Sequence, residues 1–342
     1  MSNAITPHAS KAPVLSVRSL RTWFQTPQGD IRAVDGVDLS VDAGKVLCVV
    51  GESGSGKSLT ALSIMGLVDH PGRIMPGSEI RLDGRDIANL PDRELRRIRG
   101  SAVSMIFQEP MSSLNPVVRV GAQIVEAIRL HESVSRADAM KRAVEMLRLV
   151  GITAPERRVR DYPHQMSGGM RQRVMIAMAL ACNPRVLIAD EPTTALDVTV
   201  QAQILDLLQE LRQRLGMAVV FITHDLGVVA EIADEVAVMY AGEVVERGPA
   251  KAVLAQPAHP YTSALMETIP VVGMDRTQRL KAIEGMVPSP LNFPVGCRFA
   301  NRCPHAFDRC TSEPPPLFST GAAEAACWLL AKDGCTVEEA AQ

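Results

Sequence analysis

Gly51-Glu52-Ser53-Gly54-Ser55-Gly56-Lys57-Ser58 follows the apolar run Val46-Leu47-Cys48-Val49-Val50 and leads into Leu59-Thr60-Ala61-Leu62. A glycine, four residues and then Gly-Lys-Ser is the spacing of a phosphate-binding loop, and a buried strand before it and a helix after it form the setting that pattern requires. Glycines reach backbone conformations closed to other residues, so successive N–H groups turn toward one anion. Lys57 adds a positive charge, Ser58 a hydroxyl for Mg²⁺, and the helix that begins here adds the partial positive charge of its N-terminus. Gly51, Glu52, Ser53, Gly54, Ser55, Gly56, Lys57 and Ser58, with Leu59 behind them, are the candidate nucleotide-binding residues.

The rest of the composition sets limits on what such a loop can serve. With 342 residues, 46% apolar and 22% charged, the chain is ordinary globular material long enough for two or three domain-sized units. A net charge of −2 gives no nucleic-acid footprint. Residues 1–13 form a tail without the apolar segment of a secretory signal. No run approaches the roughly 18 apolar residues that span a bilayer, and Val174 to Cys182 reads as a core helix. A soluble, cytoplasmic chain is expected, with any membrane role supplied by partner chains. Its seven cysteines then point to packing or metal ligation rather than disulfides.

Upstream of the loop, Val14 to Phe24 alternates as a strand and ends in the adjacent aromatics Trp23 and Phe24. A second strand-like stretch runs through Ala33, Val37 and Leu39 to Gly44. The pair either presents one ring to stack on a base or fills the core with both, and because neighbouring strand residues point to opposite faces, at most one of the two reaches a base. Downstream, Glu79 to Leu82, the turn Asp83-Gly84 and Asp92 to Arg99 read as a sheet edge followed by a helix. Val103 to Phe107 is a short strand that delivers Gln108 to its end, where the amide reaches a metal or a water. Met111 to Asn115 reads as a hinge, and from Val120 to Val150 the spacing is helical, with Ile124, Ile128, Met140, Val144, Leu147 and Val150 as buried candidates.

Two further constellations complete the chemistry. Ser167-Gly168-Gly169 precedes the apolar helix Val174 to Ala181 and makes a second helix N-terminus suited either to an anion or to plain capping. Arg185 to Asp190 is an apolar strand ending in a carboxylate, as a Mg²⁺-linked phosphate site needs, and Glu191 directly after it is free to polarise an attacking water. Ala195-Leu196-Asp197 forms a turn before the helix Val200 to Leu215, and the strand Met217 to Thr223 ends at His224, in reach of a γ-phosphate.

From about Val14 to Arg247 these elements, in this order, resemble the nucleotide-binding subunit of an ATP-binding cassette (ABC) transporter. The resemblance implies a P-loop NTPase fold of the α/β class, with a RecA-like core, an antiparallel β subdomain and a helical subdomain over about 110–180. It implies an ATPase domain over 14–250 that binds ATP and Mg²⁺, the metal held through Ser58, Gln108 and Asp190. By the same resemblance Phe24 stacks on the base, Gln108 senses Mg²⁺ and the membrane partner, and Glu191 is the catalytic base. His224 meets the γ-phosphate, and Asp197 contacts the opposite subunit. Met166 and Met170 stand where the family's signature carries Leu and Gln, and Ser167-Gly168-Gly169 is intact between them. One loop and one signature per chain imply that two subunits close over nucleotide together.

The extension 251–342 resembles the C-terminal region of oligopeptide and dipeptide importer ATPases, a branch that includes nickel importers. It carries His259-Pro260-Tyr261-Thr262, Pro288-Ser289-Pro290 and the group Cys297, Cys303, Cys310 and Cys327. Four thiolates can hold a [4Fe–4S] cluster or Zn²⁺, and the spacing lacks the Cys-x-x-Cys pairs of a zinc ribbon. Cys335 lies beyond the group; Cys48 and Cys182 read as packing residues. The implied function is ATP-driven import of di- or oligopeptides, with two permease subunits, a second ATPase chain forming a heterodimer, and an extracytoplasmic binding protein. The place of work is the cytoplasmic face of the inner membrane. An ATPase of a nickel or other small-solute importer of the same branch is the alternative, and a soluble ABC ATPase of DNA repair or translation is the rival from another class, whose paired cassettes, long coiled coils or basic patches are not visible.

Overall fold

The computed structural model describes residues 12–108, 113–194, 196–268 and 282–332. Residues 1–11 of the expected tail, Met111 and Ser112 of the hinge stretch, Ala195 and Cys335 fall outside them.

Four runs that are apolar at nearly every position form the centre: β3 (Val46–Val50), β7 (Val103–Ile106), β8 (Val186–Asp190) and β9 (Ala218–Thr223). Strands buried on both faces need no polar alternation, and these lie in a parallel arrangement with β10 (Glu235–Tyr240), in the order β10-β3-β9-β8-β7. The period of two divides each strand between two cores. Val46, Cys48 and Val50 join Leu187, Ala189, Val219 and Phe221 on one face; Leu47 and Val49 join Val186, Ile188, Val220 and Ile222 on the other.

The second face is covered by an antiparallel sheet, β2-β1-β5-β6 with β4 also on β1. Its strands are β1 (Leu15–Thr26), β2 (Gly29–Val41), β4 (Gly72–Ile74), β5 (Glu79–Leu82) and β6 (Arg85–Asp86). The Asp83-Gly84 turn joins β5 to β6 with both residues at positive φ, 48° and 80°. The first face is covered by helices α3 (Val120–His131), α4 (Arg136–Leu149) and α5 (Gly168–Leu180), after α1 (Lys57–Met65) and α2 (Asp92–Ile98) earlier in the chain. Ile124, Ile128, Leu147 and Val150 are fully buried there, while Met140 and Val144 sit at the margin.

The C-terminal extension is continuous with this sheet. β11 (Glu243–Pro249) pairs antiparallel with β10, then β13 (Glu324–Ala325) pairs with β11 and β12 (Phe318–Ser319) with β13. Phe299 and Tyr261 complete the first core around Tyr240.

Candidate active site

Register brings the site together. Val50 lies opposite Thr223 and Val238, Asp190 opposite Ile222, and Ala189 opposite Ile106, so the strands finish along one line at their carboxyl ends. The residues that follow each strand are the loop from Gly51, Gln108, Glu191 and His224.

The loop's turn depends on two glycines in particular. Gly51 has φ 151°, and a Cβ there would stand 2.1 Å from the Met239 carbonyl oxygen; at Gly56, φ 101°, it would stand 2.7 Å from that of Ala33. Gly56 precedes α1 without a side-chain cap, which leaves the first helical N–H groups free for an anion. Lys57 is buried, and its Nζ donates to the carbonyls of Gly51 at 2.7 Å and Glu52 at 2.9 Å. Burial pushes its pKa down, opposed by Glu191, Asp190 and Glu52. Ser53 and Gly54 face solvent, Ser55 is buried, and Leu59 packs on the second core.

Ser58 Oγ donates to Asp190 Oδ1 at 3.1 Å. Burial pushes the Asp190 carboxyl up, while Ser58 and Lys57 pull it back. A hydroxyl and a carboxylate beside a loop of inward N–H groups are hard oxygen donors, the set that suits Mg²⁺ next to a phosphate.

Glu191 has the left-handed φ of 45°, rare for a residue with a side chain and of the sort kept at functional sites. Its N–H donates to Ile222 O at 3.0 Å. Its Oε2 accepts from Gln108 Nε2 at 3.1 Å and from Thr194 Oγ1 at 3.0 Å, and its Oε1 meets His224 Nδ1 at 3.2 Å. Two expected residues, Gln108 and His224, thus converge on the carboxylate of a third, Glu191, one position after Asp190. Thr194 was missing from the expectation, because a threonine two residues after a proline carries no signal of its own.

Other residues are not brought together within the chain. Ser167 and Gly168 face solvent, and the Ser167 hydroxyl accepts the Met170 N–H at 3.3 Å as a helix cap. A Cβ on Gly169 would stand 2.8 Å from Val200 Cγ1, so that glycine admits the helix α6 (Val198–Leu215). Asp197 caps α6, accepting the Val200 N–H at 2.9 Å. Met166 is buried and Met170 packs at the core's edge, so the two departures from the family signature both serve packing. Trp23 and Phe24 diverge as alternation requires: Arg32 lies 4.7 Å over the Trp23 ring, while a Cβ on Gly72 would be 2.6 Å from Phe24 Cε1.

The fold brings the four cysteines of the extension together. Cys297, Cys303, Cys310 and Cys327 line one cavity, together with His259 and His305, but its free volume of about 10 Å³ is close to that of one water. Among the described residues no group of three or more His, Cys, Asp or Glu is placed to hold a metal ion. Burial pushes the Cys297 and Cys327 thiols up to about 11. Cys48 is fully buried, as expected of a packing residue.

Sequence reasoning also missed the partners of Glu52. Arg302 Nη1 and Nη2 hold its two carboxylate oxygens at 2.6 and 3.1 Å, and its N–H donates to Tyr261 Oη at 2.9 Å. Tyr261 lies in the His-Pro-Tyr-Thr run, but nothing in that run names its partner.

Known proteins resemble this chain over most of its length. Residues 34–194 match the family model described as ABC transporter, and residues 245–310 match that of the oligopeptide/dipeptide transporter C-terminal region. The chain is 50% identical over 323 residues to the oligopeptide transport ATP-binding protein AppD of Bacillus subtilis, covering 94% of this chain and 98% of that one. It is 51% identical over 304 residues to the dipeptide transport ATP-binding protein DppD of Escherichia coli, covering 89% and 92%. Among solved structures it is similar to the dimeric ABC transporter cassette MJ0796, with TM-score 0.61, 30% identity, and coverage of 69% of this chain and 98% of that one. A second structure of that cassette, a post-hydrolysis dimer bound to ADP and Pi, gives TM-score 0.62. The chain belongs to the ATP-binding proteins of the oligopeptide and dipeptide ABC transporters.

Proposed function

We propose that this chain is the ATP-hydrolysing subunit that powers import of di- or oligopeptides across the cytoplasmic membrane through partner permeases. The observation that carries the reading is the Glu191 carboxylate, which Gln108, Thr194 and His224 hold immediately after the Asp190–Ser58 pair of the phosphate loop. In that arrangement the loop and Lys57 bind the triphosphate, and Ser58, Asp190 and Gln108 are the residues that would hold Mg²⁺. Bound there, Mg²⁺ supplies charge neutralisation on the phosphate oxygens. Glu191 takes the proton of the attacking water, and His224 orients toward the γ-phosphate. Phe24 stacks on the base.

Ser167, Gly168 and Gly169 close over nucleotide held by a second ATPase subunit, and Asp197 meets that subunit. The support is that Ser167, Gly168 and Asp197 face outward here, and that the similar cassette MJ0796 is described as dimeric. A heterodimeric companion, two permeases and an extracytoplasmic binding protein complete the assembly, with no nucleic acid involved. Among the described residues no helix is long and apolar enough to cross a membrane, which suits a peripheral subunit at the cytoplasmic face. A groove of about 600 Å³, lined by Met65, Met105, Phe107, Met175 and Met178, is the docking surface for a permease segment. Phe107 is 39% exposed there and is the residue before Gln108, so docking and the site share one strand end.

A [4Fe–4S] cluster, or Zn²⁺, on Cys297, Cys303, Cys310 and Cys327 is the finer proposal for the extension, supported by four thiols around one cavity. Iron, sulfide and zinc analysis of the freshly purified chain tests it. The functional reading is tested by uptake of labelled peptide into cells lacking the chain, complemented with the natural sequence or Lys57→Ala. Uptake restored by the variant as well as by the natural chain would overturn it.

A further inference from the structure

The phosphate loop contains a carboxylate, Glu52, that nothing in phosphate binding calls for. A negative side chain one residue into the loop repels a triphosphate unless its charge is met. Here it is met by the C-terminal extension. Arg302 grips both oxygens of Glu52 in a fork, the pairing at which guanidinium differs most from ammonium. The Arg302 side chain is 4% exposed. It also donates to the carbonyls of Ile283 at 3.0 Å and Glu284 at 2.9 Å, and to Tyr240 Oη at 3.3 Å, so its position is fixed from several sides.

The extension holds the loop elsewhere too. Tyr261 Oη takes the Glu52 N–H, while from the turn between β10 and β11 the Gly242 N–H donates to Ser55 O at 3.0 Å. Arg298 Nη1 donates to Ala241 O at 2.6 Å, while its Nη2 pairs with Asp35 at 2.6 Å and Glu243 at 2.9 Å. Arg298 and Arg302 lie within a short helical turn that begins at Cys297 and ends at Cys303, closed by bonds from Ala300 N to Cys297 O and from Cys303 N to Ala300 O. The backbone that carries two of the four cysteines is thus the backbone that carries the two arginines.

We infer that Arg302 is a positioning residue for nucleotide binding: it neutralises and orients Glu52, so that the cysteine-bearing unit braces the phosphate loop and sets its affinity for MgATP. The inference rests on the reading of the loop as an ATP site. With Arg302 present the loop offers its N–H groups and Lys57 to the phosphates. Without it an uncompensated carboxylate faces them.

The experiment is a double-mutant cycle on the full chain assembled with its companion subunits, read by MgATP affinity and by KM and kcat for hydrolysis. Arg302→Met is expected to weaken MgATP about tenfold, within the range of coupled sites, and to raise KM more than it lowers kcat. Glu52→Gln combined with Arg302→Met is expected to recover most of that loss, because the repelling charge is gone. A purely structural role for Arg302 predicts no such rescue. Unchanged affinity in Arg302→Met, or a loss that Glu52→Gln leaves in place, overturns the inference. If Arg302→Met does not fold, Arg302→Lys carries the same comparison, with a smaller loss and the same rescue expected. The natural chain is the internal control: failure of that chain to bind MgATP sinks the ATPase reading, whereas binding with insensitive variants sinks the brace alone.

Discussion

Replacing Glu191 by Gln removes one charge and almost no structure. In the natural chain Oε2 accepts from Gln108 and Thr194, and Oε1 meets His224 Nδ1 at 3.2 Å. A glutamine oxygen in the Oε2 place keeps both accepted bonds, and its NH₂ group donates to Nδ1 when the histidine proton sits on Nε2. The structural loss is then at most one hydrogen bond, about 0.5–1.5 kcal/mol. What disappears is a group able to take a proton from water. A positioned general base is worth about 10²–10⁴ in rate, or about 3–5 kcal/mol of barrier. Nucleotide affinity moves the other way if at all, because Lys57 feels the Glu191 charge and a negative group beside the triphosphate is lost. The assay is phosphate release at saturating MgATP by the chain with its companions, alongside nucleotide retention and size-exclusion chromatography. The expected result is hydrolysis lowered about 10²–10⁴-fold, ATP retained, and a closed dimer accumulating. Turnover at the unmodified rate would refute the assignment of Glu191 as base.

Lys57→Ala removes a buried ammonium that holds the Gly51 and Glu52 carbonyls, and equilibrium binding of MgATP is expected to weaken by more than about tenfold while the fold survives. Gly51→Ala places a Cβ 2.1 Å from the Met239 carbonyl oxygen at φ 151°, so the loop must shift; thermal melts should report a cost of about 1–3 kcal/mol and titration a loss of ATP binding. Asp234 accepts from Lys45 Nζ at 2.8 Å, Val46 N–H at 2.8 Å and Arg212 Nη1 at 3.0 Å. Burial alone would raise its carboxyl, and these partners outweigh burial and hold it below the ordinary 3.8. A lowered carboxylate contributes stability that is present above 3.8 and lost as pH falls through the folded value. Asp234→Asn is therefore expected to destabilise by about 1–3 kcal/mol at pH 7 in urea melts, with the gap from the natural chain closing below about pH 4.

The parts of this molecule that were legible in the sequence are those whose cause lies within a few residues. Val46–Val50 and Ala218–Thr223 are buried on both faces and so are apolar throughout, which is a local pattern. A phosphate loop must have its glycines and lysine at fixed offsets, and a polar residue at the carboxyl end of a buried strand stands out from its neighbours, as Gln108, Asp190 and His224 do. The contacts that were hidden join residues far apart: Arg302 to Glu52 across 250 positions and Tyr261 to Glu52 across 209. An arginine in a cysteine-rich tail and a glutamate in a glycine loop each look like ordinary surface charges, since neither spacing nor periodicity encodes who meets whom. The cysteines were only half legible, for a related reason. Their types named a donor set, but whether four thiols meet at ligating separation depends on how Phe299, Trp328 and His259 fill the space around them, and those side chains leave room for about one water. The same packing that closes the cavity also fixes the turn bearing Arg298 and Arg302. What happens to the thiols and what happens at the phosphates are therefore linked through one short stretch of backbone, and a perturbation at the cysteines is expected to appear as a change in nucleotide affinity before it appears in the rate of hydrolysis.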